Sequence, residues 1–313
     1  MAAHRIVVLG GSGFIGRALA ARLASDGASV VVPTRNRDRA RPLFLLPTVD
    51  AVEADVHDPA TLARLVTGAD AVVNLVGILN ESGADTFERA HVALARNVVA
   101  ACGKAGVARL LHMSALNADP AGPSKYLATK GEAENTVAAS ALAWTIFRPS
   151  VVFGEGDSFL ALFARLARWL PVIALAAPDA RFQPVWVGDV ASAFAHALDS
   201  RACVRQRYDL CGPKVYTLRE LVRWTAETAG SVRPIVPLTG SLASMQAYVL
   251  EHLPGKLMSR DNLASMSKDN VCGCPFPGEF GVEPASLEAI GPSWLAPGAL
   301  KSRYAELRTT QTR

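Results

Sequence analysis

The stretch "RIVVLGGSGFIGRALAARLASDG", residues 5–27, constrains this chain more than any other. It opens on a run of Val, Ile and Leu, turns at glycines spaced G-x-x-G-x-x-G (Gly10, Gly13, Gly16) and continues as a helical segment that Gly27 can close. Such a turn needs glycine where the backbone takes positive φ or must approach a phosphate closely. The helix that follows offers unpaired N–H groups and the positive end of its dipole to a pyrophosphate. A glycine pattern in this strand–turn–helix setting predicts a dinucleotide site, with Gly10, Ser12, Gly13, Phe14, Ile15 and Gly16 at the phosphates.

The rest of the chain supports that setting. Continuous apolar runs at 5–10, 29–33, 50–55, 70–77, 109–114 and 144–152 read as strands covered on both faces. Helical segments separate them, at 16–27 and 86–106 among others, and Gly106 follows the second. This alternation predicts an α/β fold built on a doubly wound parallel sheet. The expected division is a nucleotide-binding Rossmann domain over 1–153, continued by 183–212. A smaller, mainly helical substrate lobe over 154–182 and 213–300 is expected to cap the sheet's carboxyl edge, with a polar tail over 301–313.

Composition removes several function classes. The net charge is +4, and the densest basic cluster, Arg35 to Arg41, contains Asp38, so no nucleic-acid partner is expected. Five cysteines are an odd set for a disulfide framework and read as reduced thiols of a cytoplasmic protein. "CGC" at 272–274 has no second Cys or His pair, so no metal is expected. The N-terminal apolar run leads directly into the glycine turn and reads as a strand, not a signal segment. The longest apolar stretch, 159–178, is interrupted by Arg165, Arg168 and Pro171, so no spanning helix is expected.

The end of the second strand speaks to the choice of dinucleotide. An acidic residue there would bind the ribose 2′-OH of NAD(H). "VVVPTRNR" offers Arg35 and Arg37 instead, and a guanidinium fork suits a 2′-phosphate, so NADP(H) is favoured over NAD(H). Asp55 and Val56 follow the third strand and Val76 and Gly77 the fourth, in position to flank the adenine and the cofactor's middle. Further on, "SKYLATKGEAENTVAAS" reads as a helix that puts Tyr126 and Lys130 on one face. An ammonium beside a phenol favours the phenolate and is expected to lower the tyrosine's pKa. Such a tyrosine exchanges a proton with a carbonyl or alcohol while a nicotinamide exchanges the hydride. Lys130 would also hold the nicotinamide ribose, and Ser114, ending the fifth strand, would orient the reacting oxygen.

The order GxxGxxG, Asp-Val, "NLVG", Ser, YxxxK, "RPSVVFG" and "PVWVGDVA" resembles the extended and atypical short-chain dehydrogenase/reductases over nearly the whole chain. "VVNLVG", "HMSALNADPAGPSKYLATKGEAE" and "FRPSVVFGEGDSFLALFARL" look most like one branch. That branch holds the alpha-subcomplex subunit 9 of mitochondrial NADH:ubiquinone oxidoreductase and its bacterial relatives. The resemblance implies that Gly10, Gly13, Phe14, Ile15, Arg35, Asp55, Val56, Gly77, Lys130 and Pro149 contact the cofactor. It also implies that Ser114, Tyr126 and Lys130 form the catalytic set. Two positions and one spacing depart from the pattern. Leu9 stands where many extended members carry Thr, and His91 where many carry Asn, with the later Asn97 kept. Ser114 lies only 12 residues before Tyr126, a shorter gap than sugar epimerases usually show.

The segment 157–178 is apolar, with Phe159, Leu162, Phe163, Leu166, Trp169 and Leu170 at helical spacing. It can pack, line a pocket for a lipid- or quinone-like substrate, or touch a membrane surface or a respiratory complex. Three functional readings follow. The first is an NAD(P)(H)-dependent oxidoreductase on a hydrophobic carbonyl, alcohol or quinone-like compound. The second is a nucleotide-binding accessory protein of respiratory complex I, peripheral to the inner face of the membrane. The third is a nucleotide-sugar epimerase or dehydratase.

Overall fold

A computed structural model of the chain describes residues 4–252 and 257–298. The expected tail over 301–313 lies outside the described residues. The glycine turn joins β1 (Arg5–Leu9) to α1 (Phe14–Ser25). Then come β2 (Ser29–Thr34), β3 (Val49–Glu53), α2 (Pro59–Val66) and β4 (Ala71–Asn74). Next are α3 (Leu94–Ala105), β5 (Arg109–Met113), α4 (Lys125–Ala138) and β6 (Ala143–Pro149). With the strand Gln206–Leu210 these form one seven-stranded parallel sheet, ordered Gln206–Leu210, β6, β5, β4, β1, β2, β3. The doubly wound sheet expected from the apolar runs is present.

Strand order reverses at β1, which lies between β2 and β4. In open α/β sheets the ligand crevice forms at the carboxyl ends of the strands flanking such a reversal. One face of the sheet packs Val7, Val72, Leu110 and Ile146 against Leu62 and Val66 of α2, Leu94 and Val98 of α3 and Val137 of α4. On the other, α1 packs against the helix Val187–Asp199, and Phe194 of that helix meets Phe147 with the rings tilted by 32° and their centroids 4.1 Å apart.

The chain divides into two compact units. The first comprises 1–149, 187–210 and 272–283; the second comprises 150–186, 211–271 and the chain from Pro284. The second unit has its own core of Phe153, Leu160, Phe182, Tyr216, Leu218, Leu221 and Val222. Three two-stranded pairings lie within it, the longest joining Ile173–Ala176 in parallel to Ile235–Leu238.

Several local expectations change. The helix expected over 86–106 begins as a π-helical segment, Glu88–Ala93, before α3. The helix Phe159–Trp169 buries Leu160, Ala164 and Ala167, because these share the face turned to its unit's core. The larger apolar residues Phe159, Leu162, Phe163 and Leu166 are only partly buried, and Trp169 is 78% exposed. Cys211 and Cys272 are disulfide-bonded, which corrects the expectation of thiols for these two; Cys102, Cys203 and Cys274 are free. Among the described residues no helix is long and apolar enough to cross a membrane, and no group of three or more His, Cys, Asp or Glu is placed to hold a metal ion.

Candidate active site

The glycine loop is shaped by steric necessity. Gly10 adopts φ +78°, and a Cβ there would meet the Leu75 carbonyl carbon and the Val76 nitrogen at 3.1 Å. A Cβ on Gly16 would lie 2.3 Å from the Gly10 carbonyl oxygen, so α1 can sit this close to the loop only with glycine in its first turn. Gly13 caps α1 with no side-chain hydrogen bond, and no acidic residue occupies the first turn. Helix-start N–H groups have no partner within their own helix, so this end of α1 suits an anion. Ser12 Oγ lies 3.1 Å from Thr34 Oγ1, which ties the loop to the end of β2.

Beyond β2 the two expected arginines separate. Arg35 donates through both terminal nitrogens to Asp85, at 3.0 and 3.2 Å. Arg37 lies over the Phe44 ring, 5.7 Å from its centroid. Asp55 accepts from the His57 N–H at 3.0 Å and lies 3.5 Å from Arg89. Val56 is buried in the sheet's core, and Val76 packs against it.

The second half of the site sits at the carboxyl ends of β4, β5 and β6. Ser124 caps α4, accepting from the Leu127 N–H at 3.1 Å, and so starts the helix one residue before Tyr126. Lys130 follows one turn later. Its Nζ is buried and donates to the Met113 carbonyl at 2.7 Å, beside Ser114. The Ser114 N–H donates to the Phe147 carbonyl at 2.7 Å, and Leu116 N–H donates to that of Pro149 at 3.0 Å. These bonds fix the segment after β5. Ser114 Oγ is buried with no hydrogen-bond partner among the described residues. A Cβ on Gly77 would lie 3.7 Å from both Lys130 Nζ and His91 Nε2, so the turn after β4 faces both side chains.

Burial dominates the electrostatics. It pushes the Lys130 ammonium down to about 8, with Glu134, one turn on, acting the other way. It pushes the Tyr126 phenol up to about 12. This corrects the expected direction: desolvation disfavours the phenolate, and it alone accounts for the shift.

Sequence reasoning named His91 only as a departure from the family pattern, without its contacts, and missed two further features. Nε2 of His91 accepts from the Ile78 N–H at 3.2 Å, which leaves Nδ1 to donate to Thr129 Oγ1 at 2.9 Å. Desolvation and the Lys130 charge hold this imidazole neutral, down to about 2, and its ring meets that of Tyr126 edge-on at 5.6 Å. His112 is likewise neutral, down to about 3, and accepts at Nδ1 from Asn74 at 3.3 Å. Its Nε2 is buried and lacks a partner among the described residues. Gly131 allows the loop after β5 to press on α4, since a Cβ there would meet the Asp119 carbonyl carbon and the Pro120 nitrogen at 2.5 Å. The glycine after Lys130 was the one visible signal.

A glycine cradle under an uncapped helix start, with an orphaned hydroxyl and a buried ammonium further along the same sheet edge, fits a nicotinamide dinucleotide. The comparisons agree. A family model described as NAD(P)H-binding matches residues 10–158. The chain is 30% identical over 291 residues to the mitochondrial NADH-ubiquinone oxidoreductase 40 kDa subunit of Neurospora crassa, covering 91% of this chain and 76% of that protein. It is 28% identical over 256 residues to a 2-alkyl-3-oxoalkanoate reductase of Stenotrophomonas maltophilia, covering 73% and 77% of the two chains. A crystal structure of a nucleoside-diphosphate-sugar epimerase from Staphylococcus aureus superposes with a TM-score of 0.71 at 19% identity, over 94% of this chain and all of that one, a likeness of fold. The chain belongs to the NAD(P)-binding extended short-chain dehydrogenase/reductase family, where its relatives include complex I subunits and reductases.

Proposed function

We propose that the protein is an NADP(H)-dependent reductase of a hydrophobic carbonyl or quinone-like compound. The observation that carries this reading is the buried Ser114 hydroxyl without a partner, beside the carbonyl that Lys130 holds, with Tyr126 one turn earlier on α4. When bound, the nicotinamide supplies the hydride. Ser114 Oγ donates to the substrate oxygen and orients it. Tyr126 Oη delivers the proton to that oxygen. A phenol held near 12 keeps its proton through the neutral range, which suits giving it to a carbonyl rather than taking one from an alcohol. Lys130 has donor capacity beyond its bond to Met113, for the ribose hydroxyls. Arg35 is the residue for a 2′-phosphate. The substrate in the name of the Stenotrophomonas relative, an alkyl oxoalkanoate, supports a hydrophobic carbonyl substrate.

A second reading has its own support. The similarity to the 40 kDa subunit favours a nucleotide-holding accessory protein of a respiratory complex, in which the pair binds without turnover. One experiment separates the two: near-UV absorbance of the protein with NADPH and a panel of quinones and hydrophobic ketones. Oxidation that falls at least about a hundredfold in Tyr126→Phe, the scale of a lost general acid, supports the reductase. Turnover unchanged by Tyr126→Phe removes it, and NADPH bound but never oxidised gives the weight to the accessory role.

A further inference from the structure

The end of β2 carries no acid, yet the fold delivers one there from 50 residues away. Asp85 takes both terminal nitrogens of Arg35 at 3.0 and 3.2 Å, and Arg89 Nη1 lies 3.6 Å from the same carboxylate. Arg89 Nη2 reaches Asp55, beyond the end of β3, at 3.5 Å. Asp85 is not loosely placed. It and Ser82 exchange two backbone hydrogen bonds at 3.0 Å around Gly83, whose φ of +54° makes the turn tight. Arg35 itself follows Thr34, whose hydroxyl is tied to Ser12 of the glycine loop. Two guanidinium groups thus converge on one carboxylate at the edge where the adenosine half of a dinucleotide belongs. A carboxylate's two oxygens fill a guanidinium fork as two phosphate oxygens do.

We propose that Asp85 is a selectivity-determining residue of the nucleotide site: its carboxylate holds Arg35 in the place of a ribose 2′-phosphate and must give way when NADP(H) binds, with Arg89 as the second arm of the phosphate site. The inference deepens the NADP(H) reading above and rests on it. A 2′-phosphate has to break the Asp85–Arg35 fork and then sit near a carboxylate of its own sign. NAD(H), which lacks that phosphate, does neither. Removing the carboxylate therefore strengthens only ligands that carry the 2′-phosphate, by about fivefold, the scale of a partly exposed ion pair.

The test is titration calorimetry on the full chain with NADPH, NADH, 2′,5′-ADP and 5′-ADP. In Asp85→Asn, NADPH and 2′,5′-ADP are expected to bind about fivefold tighter, with NADH and 5′-ADP unchanged. Asp85→Ser gives the same result by a second route if the first variant folds poorly. An unchanged ratio of NADPH to NADH affinity in both variants overturns the assignment. Arg35→Ala tests the underlying reading separately. If the wild type prefers NADPH and Arg35→Ala abolishes that preference, yet the Asp85 variants do nothing, the NADP(H) reading stands and the role of Asp85 falls. If the wild type prefers NADH and Asp85→Asn still shifts the ratio towards NADPH, the role of Asp85 stands and the NADP(H) reading falls.

Discussion

Lys130 carries opposite consequences for folding and for binding. Its ammonium titrates at about 8 in the folded chain against an ordinary 10.5, because burial penalises the charge. Between those two values the unfolded chain holds more protons, so this residue's contribution to stability rises with pH across that window and is a penalty below it. Binding runs the other way if the ammonium donates to the nicotinamide ribose, since the deprotonated amine donates less well. Nucleotide affinity is then expected to weaken as pH rises through about 8, with the limb absent in Lys130→Met. Dissociation constants measured across about two pH units either side of that value decide the matter. A limb that survives in Lys130→Met assigns it elsewhere. His91 and His112 cannot supply it, because they titrate at about 2 and about 3.

At the level of elements, α4 determines where the tyrosine and the lysine stand, and its start is set by one hydroxyl. Ser124 Oγ satisfies the Leu127 N–H at 3.1 Å. Ser124→Ala is expected to cost about 1 kcal/mol of stability, read as a lower denaturant midpoint with an unchanged slope. A shift near zero would mean that packing, not the cap, fixes the register of the helix. This helix was legible beforehand: its Ala, Glu and Lys content and the i, i+4 spacing are local signals, and so was the glycine turn between β1 and α1. What stayed hidden depends on residues far apart in sequence. Asp85 meets Arg35 across 50 positions, and His91 meets Thr129 across 38. No local pattern encodes such pairs. The direction of the Tyr126 shift was misread for a related reason. Spacing places a lysine near a phenol, but desolvation depends on what the whole fold packs around the ring. Helix Phe159–Trp169 shows the same limit: its period was right, yet Leu160, Ala164 and Ala167 are the residues it buries, while Phe159 and Phe163 pack against the same core only partly buried.

For the whole molecule, the expected nucleotide contacts all fall in the first unit. The glycine loop, Arg35, Ser114, Tyr126, Lys130 and Pro149 lie within residues 1–149. A ligand that binds only the folded form stabilises it by mass action, about 2.7 kcal/mol at a hundred times its dissociation constant. NADPH is therefore expected to raise the melting temperature steadily as its concentration grows, and a transition that ignores the nucleotide would contradict binding at this site. The reductase and accessory readings share that outcome, so stabilisation alone cannot choose between them. Turnover can, when both are measured on one sample. A reductase should consume NADPH once a suitable carbonyl or quinone is added, and its melting point should fall back as NADP+ replaces NADPH, if the reduced form binds more tightly. An accessory protein should keep its NADPH and its raised melting point with every compound in the panel. Melting curves recorded before and after each addition, beside the absorbance trace, thus report binding and chemistry independently. A protein stabilised by NADPH that never oxidises it would make Tyr126 and Lys130 holders of the nucleotide, and its function would then lie with the partner that recognises the loaded form.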